Sequence, residues 1–153
     1  VIEQFNGKNA FLSNFYEAPF EATTFFNLGN HDRLRFPTVE HWFQAHKASE
    51  FDTFEYIRTA PTPSEAKRRG RRIHPRQGWD QIREDVMRQG IFHKFNQNDE
   101  LRQMLKDTGE EELQEGNHWG DVFWGRTKKE GEWQGFNRLG EMLMELREEL
   151  LGG

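Results

Sequence analysis

Cysteine is absent from this chain of 153 residues, which excludes disulfides, thiol nucleophiles and cysteine zinc sites. A reducing compartment is compatible with that absence but not required by it. No apolar run approaches the ~20 residues needed to span a bilayer. The opening Val-Ile-Glu-Gln-Phe lacks the features of a signal peptide, so the expectation is a soluble, cytoplasmic protein with no membrane partner. There is no internal repeat and no low-complexity tract. Positive charge is short as well: 21 Lys and Arg against 26 Asp and Glu leave a formal net charge of −5. That balance argues against wholesale coating of nucleic acid and leaves room for a local phosphate site. What is plentiful is aromatic, with 14 Phe and five Trp in a strongly hydrophilic chain. Most of these rings must form a core, and those beside polar residues are candidates to stack on a flat base. The length suits one domain, residues 1–153.

The stretch Pro37 to Lys47, Pro-Thr-Val-Glu-His-Trp-Phe-Gln-Ala-His-Lys, organises the chain. Thr38 is a good N-cap and no breaker follows it, so a helix is expected to start here. Glu40, Gln44 and Lys47 fall at i, i+4 and i+7, which lines one face with a carboxylate, an amide and an amine. In the first turn Glu40 is expected to be held ionised by the helix dipole, suiting a base or cation stabiliser better than a proton donor. The competing reading is a solvated face with an i, i+7 charge pair.

Elsewhere, Ile2 to Phe5, Phe20 to Phe26 and Leu34 to Phe36 have the composition of short strands, the last two joined through the turn-rich Gly29 to Asp32. Gly7 to Tyr16 suits a loop in which Ser13 and Asn14 present hydroxyl, amide and backbone N–H groups, or in which Asn14 merely ties down a turn. Phe51 to Thr59 suits a short helix. Thr62-Pro63-Ser64-Glu65 is a capping box with proline at N1, opening a helix that Gly70 is expected to stop. Around that glycine, Lys67, Arg68, Arg69, Arg71, Arg72, His74 and Arg76 place seven basic residues within ten positions. They form either a solvated face or a phosphate site served by the arginine fork. Trp79 to Phe95 suits a long helix with Ile82, Val86, Met87, Ile91 and Phe95 buried, and Asn98 caps a further helix, Asp99 to Asp107. Gly116 to Gly135 is Gly- and Trp-rich without helical period, a loop of functional length. Asn137 to Leu151 is a docking helix with Leu139, Met142, Leu143, Leu146 and Leu150 inward. The fold class expected is α+β, helix-dominated, with a small β-sheet.

Pro-Thr-Val-Glu-His-Trp-Phe-Gln-Ala-x-Lys resembles the signature of the NADAR (YbiA-like) family, and further pieces of that pattern recur in order. They are Phe11 to Tyr16, Glu65 to Arg71, Trp79, Val86-Met87, Lys94-Phe95, Thr108-Gly109, Asp121 to Gly125 and Asn137 to Met144. The resemblance covers nearly the whole chain. It implies an N-glycosidase: some members cleave ribosylaminopyrimidine intermediates of riboflavin biosynthesis, and others remove ADP-ribose from guanine. It further implies Glu40, Lys47 and Asp121 as catalytic residues. For substrate binding it implies Ser13, Asn14, Phe15, Gln44, Arg71, Trp79, Trp124, Gly125 and Asn137.

An N-glycosidic bond to ribose breaks through an oxocarbenium-like state, which needs a negative group near C1′, help for the leaving base and a nucleophile. Glu40 is the candidate carboxylate at the sugar. Asp121 is the candidate second carboxylate, or else a turn Asp after Gly120. Trp79 and Trp124 are candidates to sandwich the base, and Arg71, with Arg72 beside it, to take a phosphate. Lys47 is either a Schiff-base nucleophile or the ion-pair partner of Glu40. Neither metal nor cofactor is called for, and the expected partner is a phosphorylated ribosyl or ADP-ribosyl substrate, including ADP-ribosylated nucleic acid. The alternative is a non-catalytic reader of ADP-ribose or nucleotides. The chain departs from the family pattern at Arg126-Thr127-Lys128-Lys129-Glu130 and in the lengthened segment Phe26 to Arg35. The added Arg126, Lys128 and Lys129 suit either a polyanionic substrate or a solvated tip.

Overall fold

The computed structural model describes residues 1–24 and 33–152, so the expected turn at Gly29 to Asp32 and the end of the strand at Phe26 lie outside the described residues. The fold is helix-dominated α+β with two small sheets. Its residues cluster into two compact units, Asn14–Asn98 and Val1–Ser13 with Asp99–Gly153.

The unit Asn14–Asn98 is built around α1, Val39–Ala45, every residue of which is buried. Seven residues are too few to hold a helix by local hydrogen bonds, so its neighbours on every side must hold it. Thr38 starts it as expected, its Oγ1 accepting from His41 N at 3.1 Å. The same hydroxyl lies 2.8 Å from His41 Nδ1, while His41 Nε2 lies 2.9 Å from Ala60 O. Because a carbonyl only accepts, Nε2 carries the proton and Nδ1 accepts from Thr38. Against α1 pack α2 (Phe51–Arg58), α3 (Pro63–Arg72), α4 (Trp79–Gln97) and the antiparallel pair β1 (Phe20–Thr23) and β2 (Arg33–Phe36), registered from Phe20 opposite Phe36 to Thr23 opposite Arg33. Alternation along β1 buries Phe20 and Ala22 and exposes Glu21 and Thr23.

Trp42 is the centre of this core. Its indole donates to Val86 O at 2.7 Å, and its ring meets Phe36 at 4.9 Å and His46 at 4.2 Å. Burying a ring of this size is worth on the order of 4–6 kcal/mol as an upper bound. Gly90 lets α4 approach it, since a Cβ there would fall 2.6 Å from Trp42 Cδ1.

In the other unit a 3₁₀ helix, Gly7–Leu12, replaces part of the expected loop, α5 (Asp99–Asp107) lies where the Asn98 cap put it, and α6 (Arg138–Gly152) lies where the apolar spacing put it. Of the expected strand Ile2 to Phe5 there is only a bridge from Ile2 to Leu113. The stretch Gly116 to Gly135, expected to be a loop, contains a small sheet: β3 (Gly116–Asn117) pairs in parallel with β4 (Arg126–Lys129), which turns back into β5 (Glu132–Gln134). Both hairpin residues, Glu130 (φ 54) and Gly131 (φ 82), take positive φ, the I′ geometry that matches strand twist. So the Arg126 to Glu130 departure is a strand and its turn. Arg126 donates to Gln114 Oε1, Glu112 Oε1 and Gly135 O, which ties it into its own unit. Among the described residues no helix is long and apolar enough to cross a membrane.

His46 gives the core a pH dependence. Its Nδ1 donates to Trp42 O at 2.7 Å, and burial, aided by the charge of Arg76 and opposed by that hydrogen bond, pushes its pKa down to about 4. A depressed folded pKa contributes stability that is full above the unfolded value near 6.5 and is lost as pH falls toward 4, here about 3 kcal/mol. Burial pushes His41 and His93 the same way. Urea titrations at pH 7 and pH 4.5 should therefore show acid destabilisation that His46→Leu reduces without abolishing. An unchanged pH slope in that variant would refute the assignment.

Candidate active site

Glu40 sits in the first turn of α1 and is only 7% exposed. Its backbone N–H donates to Asn14 O at 3.1 Å, and its Oε2 accepts from Gln44 Nε2 at 2.7 Å. The i, i+4 spacing seen in the sequence thus closes into a hydrogen bond, and the segment Asn14 to Tyr16 is laid over the start of the helix. Asn14 is held from its side chain too, by Nδ2 to Met87 Sδ at 3.4 Å. Lys47 lies just past the helix, but its N–H donates to Gln44 O, so the chain keeps turning and the amine stays on the Glu40 side. Its Nζ stands 5.8 Å from the centre of the Phe43 ring.

α3 supplies the rest. It does not stop at Gly70 as expected but runs through to Arg72, because that glycine is a packing position: a Cβ would fall 2.1 Å from Gln44 Oε1. Close approach there brings Lys67 and Arg71, three before and one after, to the same carboxylate. Two others of the basic run, Arg68 and Arg69, are engaged by a carboxylate of their own helix. Thr62 Oγ1 caps Glu65 N as expected, while the Glu65 carboxylate binds Arg68 and Arg69, and Arg69 also donates to Tyr56 O at 2.6 Å. Arg71 stays exposed.

The charges do not behave as the dipole argument anticipates. Burial raises the Glu40 pKa, an effect opposed by the Gln44 hydrogen bond and the charges of Lys67, Lys47 and Arg71. Burial also lowers the pKa of Lys47, with Glu40 opposing and Arg71, Lys67 and Arg83 adding to the fall. The dipole of a seven-residue helix is a small effect beside removal of a carboxylate from water. No direct ion pair joins Lys47 to Glu40 among the described residues. Burial therefore pushes the two groups in the direction of their neutral forms.

Trp79 is 6% exposed, with its ring 5.1 Å from that of Phe43, so little of its face is open to a base. Phe15, 38% exposed, is the more open ring here, with Lys67 Nζ 5.6 Å from its centre.

Five of the expected site residues lie in the other unit. Ser13 closes the 3₁₀ helix, its N–H donating to Ala10 O. Asp121 Oδ1 accepts from the N–H groups of Phe123 and Trp124 at 3.1 and 3.0 Å, the contacts of a turn Asp. Asn117 clamps the same turn through both amide atoms, leaving the Trp124 ring half-buried and edge-on to Phe123 at 4.8 Å. Gly125 is small because a Cβ would meet Glu115 O at 2.1 Å. Asn137 is 1% exposed and at φ 54, and both ends of its amide are occupied, Oδ1 by Glu115 N and Nδ2 on Leu113 O.

A family profile described as the NADAR domain matches residues 3–151. The chain belongs to the NADAR family. It is 42% identical over 121 residues to the N-glycosidase YbiA of Escherichia coli K12, covering 78% of this chain and 73% of that protein. To the N-glycosidase Npun_R5314 of Nostoc punctiforme it is 36% identical over 118 residues, 74% of this chain and 73% of that one. To the chloroplastic riboflavin biosynthesis protein PYRR of Zea mays it is 38% identical over 135 residues, 80% of this chain and 21% of that protein. The NMR structure of E. coli YbiA matches with a TM-score of 0.79 at 36% identity, covering 98% of this chain and 83% of that one. In this NADAR chain Lys67, which the sequence placed only in the basic run, is the strongest cation acting on Glu40. A glycine inside a capped helix was the available signal, because it marks the face that packs closest to its neighbour.

Gly70→Ala tests the arrangement. Alanine favours the helix by about 1 kcal/mol, yet its Cβ must displace Gln44 and break the bond to Glu40. A folded variant is expected with turnover reduced on the order of tenfold. Undiminished turnover would show that Gln44 does not position Glu40.

Proposed function

We propose that this NADAR protein hydrolyses the N-glycosidic bond between a phosphorylated ribosyl or ADP-ribosyl group and an amino-purine or amino-pyrimidine. The names of its relatives support N-glycosidic hydrolysis, and the observation that carries the reading in this chain is Glu40, buried and pinned beside Lys67, Lys47 and Arg71. A ligand reader would have no use for a desolvated carboxyl among cations, whereas a glycosidase needs one at the sugar.

In the mechanism this arrangement favours, the neutral Lys47 amine attacks C1′ and forms a C–N bond. The bond to the base breaks with its electron pair going to the base nitrogen, which takes the Glu40 proton. The glycosylamine so formed opens as the C1′–O4′ bond breaks and an amine proton passes to O4′; water hydrolyses the resulting imine to the free sugar, and the lysine ammonium left behind returns its proton to the Glu40 carboxylate. Arg71, exposed at the end of α3, takes the phosphate through its planar fork. In the other unit Asp121 orders the turn that carries the half-buried Trp124 ring.

The test offers the protein, separately, a ribosylaminopyrimidine phosphate and DNA bearing ADP-ribosylated guanine, and reads released base by mass spectrometry. Release from one of them is expected, falling about 10²–10³-fold in a folded Glu40→Gln variant. Borohydride added during turnover should leave a stable sugar mass on the Lys47 peptide, absent in Lys47→Arg. Binding without release would favour a non-catalytic reader, and near-normal turnover by Lys47→Arg would leave water as the nucleophile.

A further inference from the structure

The reading above gives Met87 no task, yet its sulfur touches the frame of the site. Met87 lies on α4, is 2% exposed, and accepts at Sδ from Asn14 Nδ2 at 3.4 Å. A thioether accepts and does not donate, so this contact also decides which end of the Asn14 amide faces α4. The main chain of Asn14 serves Glu40. The Glu40 N–H belongs to the first turn of α1, where no carbonyl of the helix can reach it, and Asn14 O takes it at 3.1 Å. Four residues on, Ala18 N–H donates to Pro37 O at 3.0 Å. The segment from Asn14 to Ala18 is therefore a strap fastened at Glu40 and at Pro37, with Phe15, Tyr16 and Glu17 exposed along it while Glu40 is buried. At its Glu40 end the strap is pinned a second time, to α4, through the sulfur.

We propose that Met87 is a positioning residue for Glu40, its sulfur holding Asn14 so that the strap stays seated on the first turn of α1. The choice of acceptor suits the task. A carboxylate there would bring negative charge and water to the neighbourhood of Glu40, whereas a thioether is polar enough to orient one amide and apolar enough to pack in the core. The inference rests on Glu40 being the proton donor of the reading above and adds the group that keeps it in place.

Amide hydrogen exchange followed by NMR tests the role without a substrate. Met87→Leu, close in volume, should speed exchange at Glu40 N–H about fivefold and leave the amides of α2 unchanged. Asn14→Ala should do the same, and the double variant should exchange no faster than Asn14→Ala, because both changes remove one bond. Losses that add, or wild-type exchange in Met87→Leu, would reduce Met87 to core filler. The carboxyl midpoint of Glu40 should also fall in Met87→Leu as water reaches it, and turnover of the ribosylaminopyrimidine phosphate or the ADP-ribosylated DNA should drop about fivefold. Unchanged midpoint and turnover, with Glu40→Gln inactive, would overturn the Met87 role and leave the glycosidase reading standing; full turnover by Glu40→Gln would overturn that reading. Should Met87→Leu fail to fold, Asn14→Ala decides, since it removes the same bond from the strap: faster Glu40 exchange with a shifted Met87 methyl resonance supports the role, and unchanged exchange refutes it.

Discussion

Everything in the unit Asn14–Asn98 depends on keeping one carboxyl group out of water. Glu40 lies on a helix of seven residues, all buried, and an isolated carboxylate in such a place costs several kcal/mol. Three things offset that cost: the Gln44 amide on Oε2, the Asn14 carbonyl that fixes the backbone, and a ring of cations from α3 and the end of α1. Each demands something of the packing. Gln44 can reach Glu40 only where Gly70 leaves room for its other amide atom, and α4 can close over Trp42 only at Gly90. The helix-capping threonines, the two close-approach glycines and the aromatic core are then parts of one arrangement whose product is a desolvated acid.

Desolvation acts in opposite senses on the two charge types. It lifts Glu40 and depresses Lys47, and the same neighbouring cations that oppose the shift in Glu40 reinforce it in Lys47. Removing a direct ion pair is what permits this. Were the amine bonded to the carboxylate, each would hold the other in its charged form. The overall acidity of the chain does not conflict with a phosphate site, since much of its basic charge is tied to its own carboxylates, as Arg68 and Arg69 are to Glu65.

Much of this was legible in the residues. The N-caps at Thr38 and Thr62, the boundaries of α2, α4 and α5, and the Glu40–Gln44–Lys47 face all follow from local rules that tertiary packing did not override. Failures came where a residue's meaning depends on what faces it. Gly70 looks like a stop, and only the proximity of Gln44 shows it to be a contact. Trp79 beside a basic run resembles a stacking platform, yet Phe43 covers it. Asn137 and Gly125 carry the family pattern, but their atoms serve the backbone of Leu113 and Glu115. The three-stranded sheet was missed because strands of two to four residues, half of them exposed, offer no alternation long enough to detect.

The central claim is that burial, and not the helix dipole, sets the protonation of Glu40, and carboxyl carbon NMR of selectively labelled protein tests it directly. The account predicts that Glu40 titrates above its ordinary value of 4.5, and that the midpoint rises further when the Gln44 bond is removed. A midpoint at or below 4.5 would contradict it, returning Glu40 to a fully ionised carboxylate and the leaving base to some other proton donor.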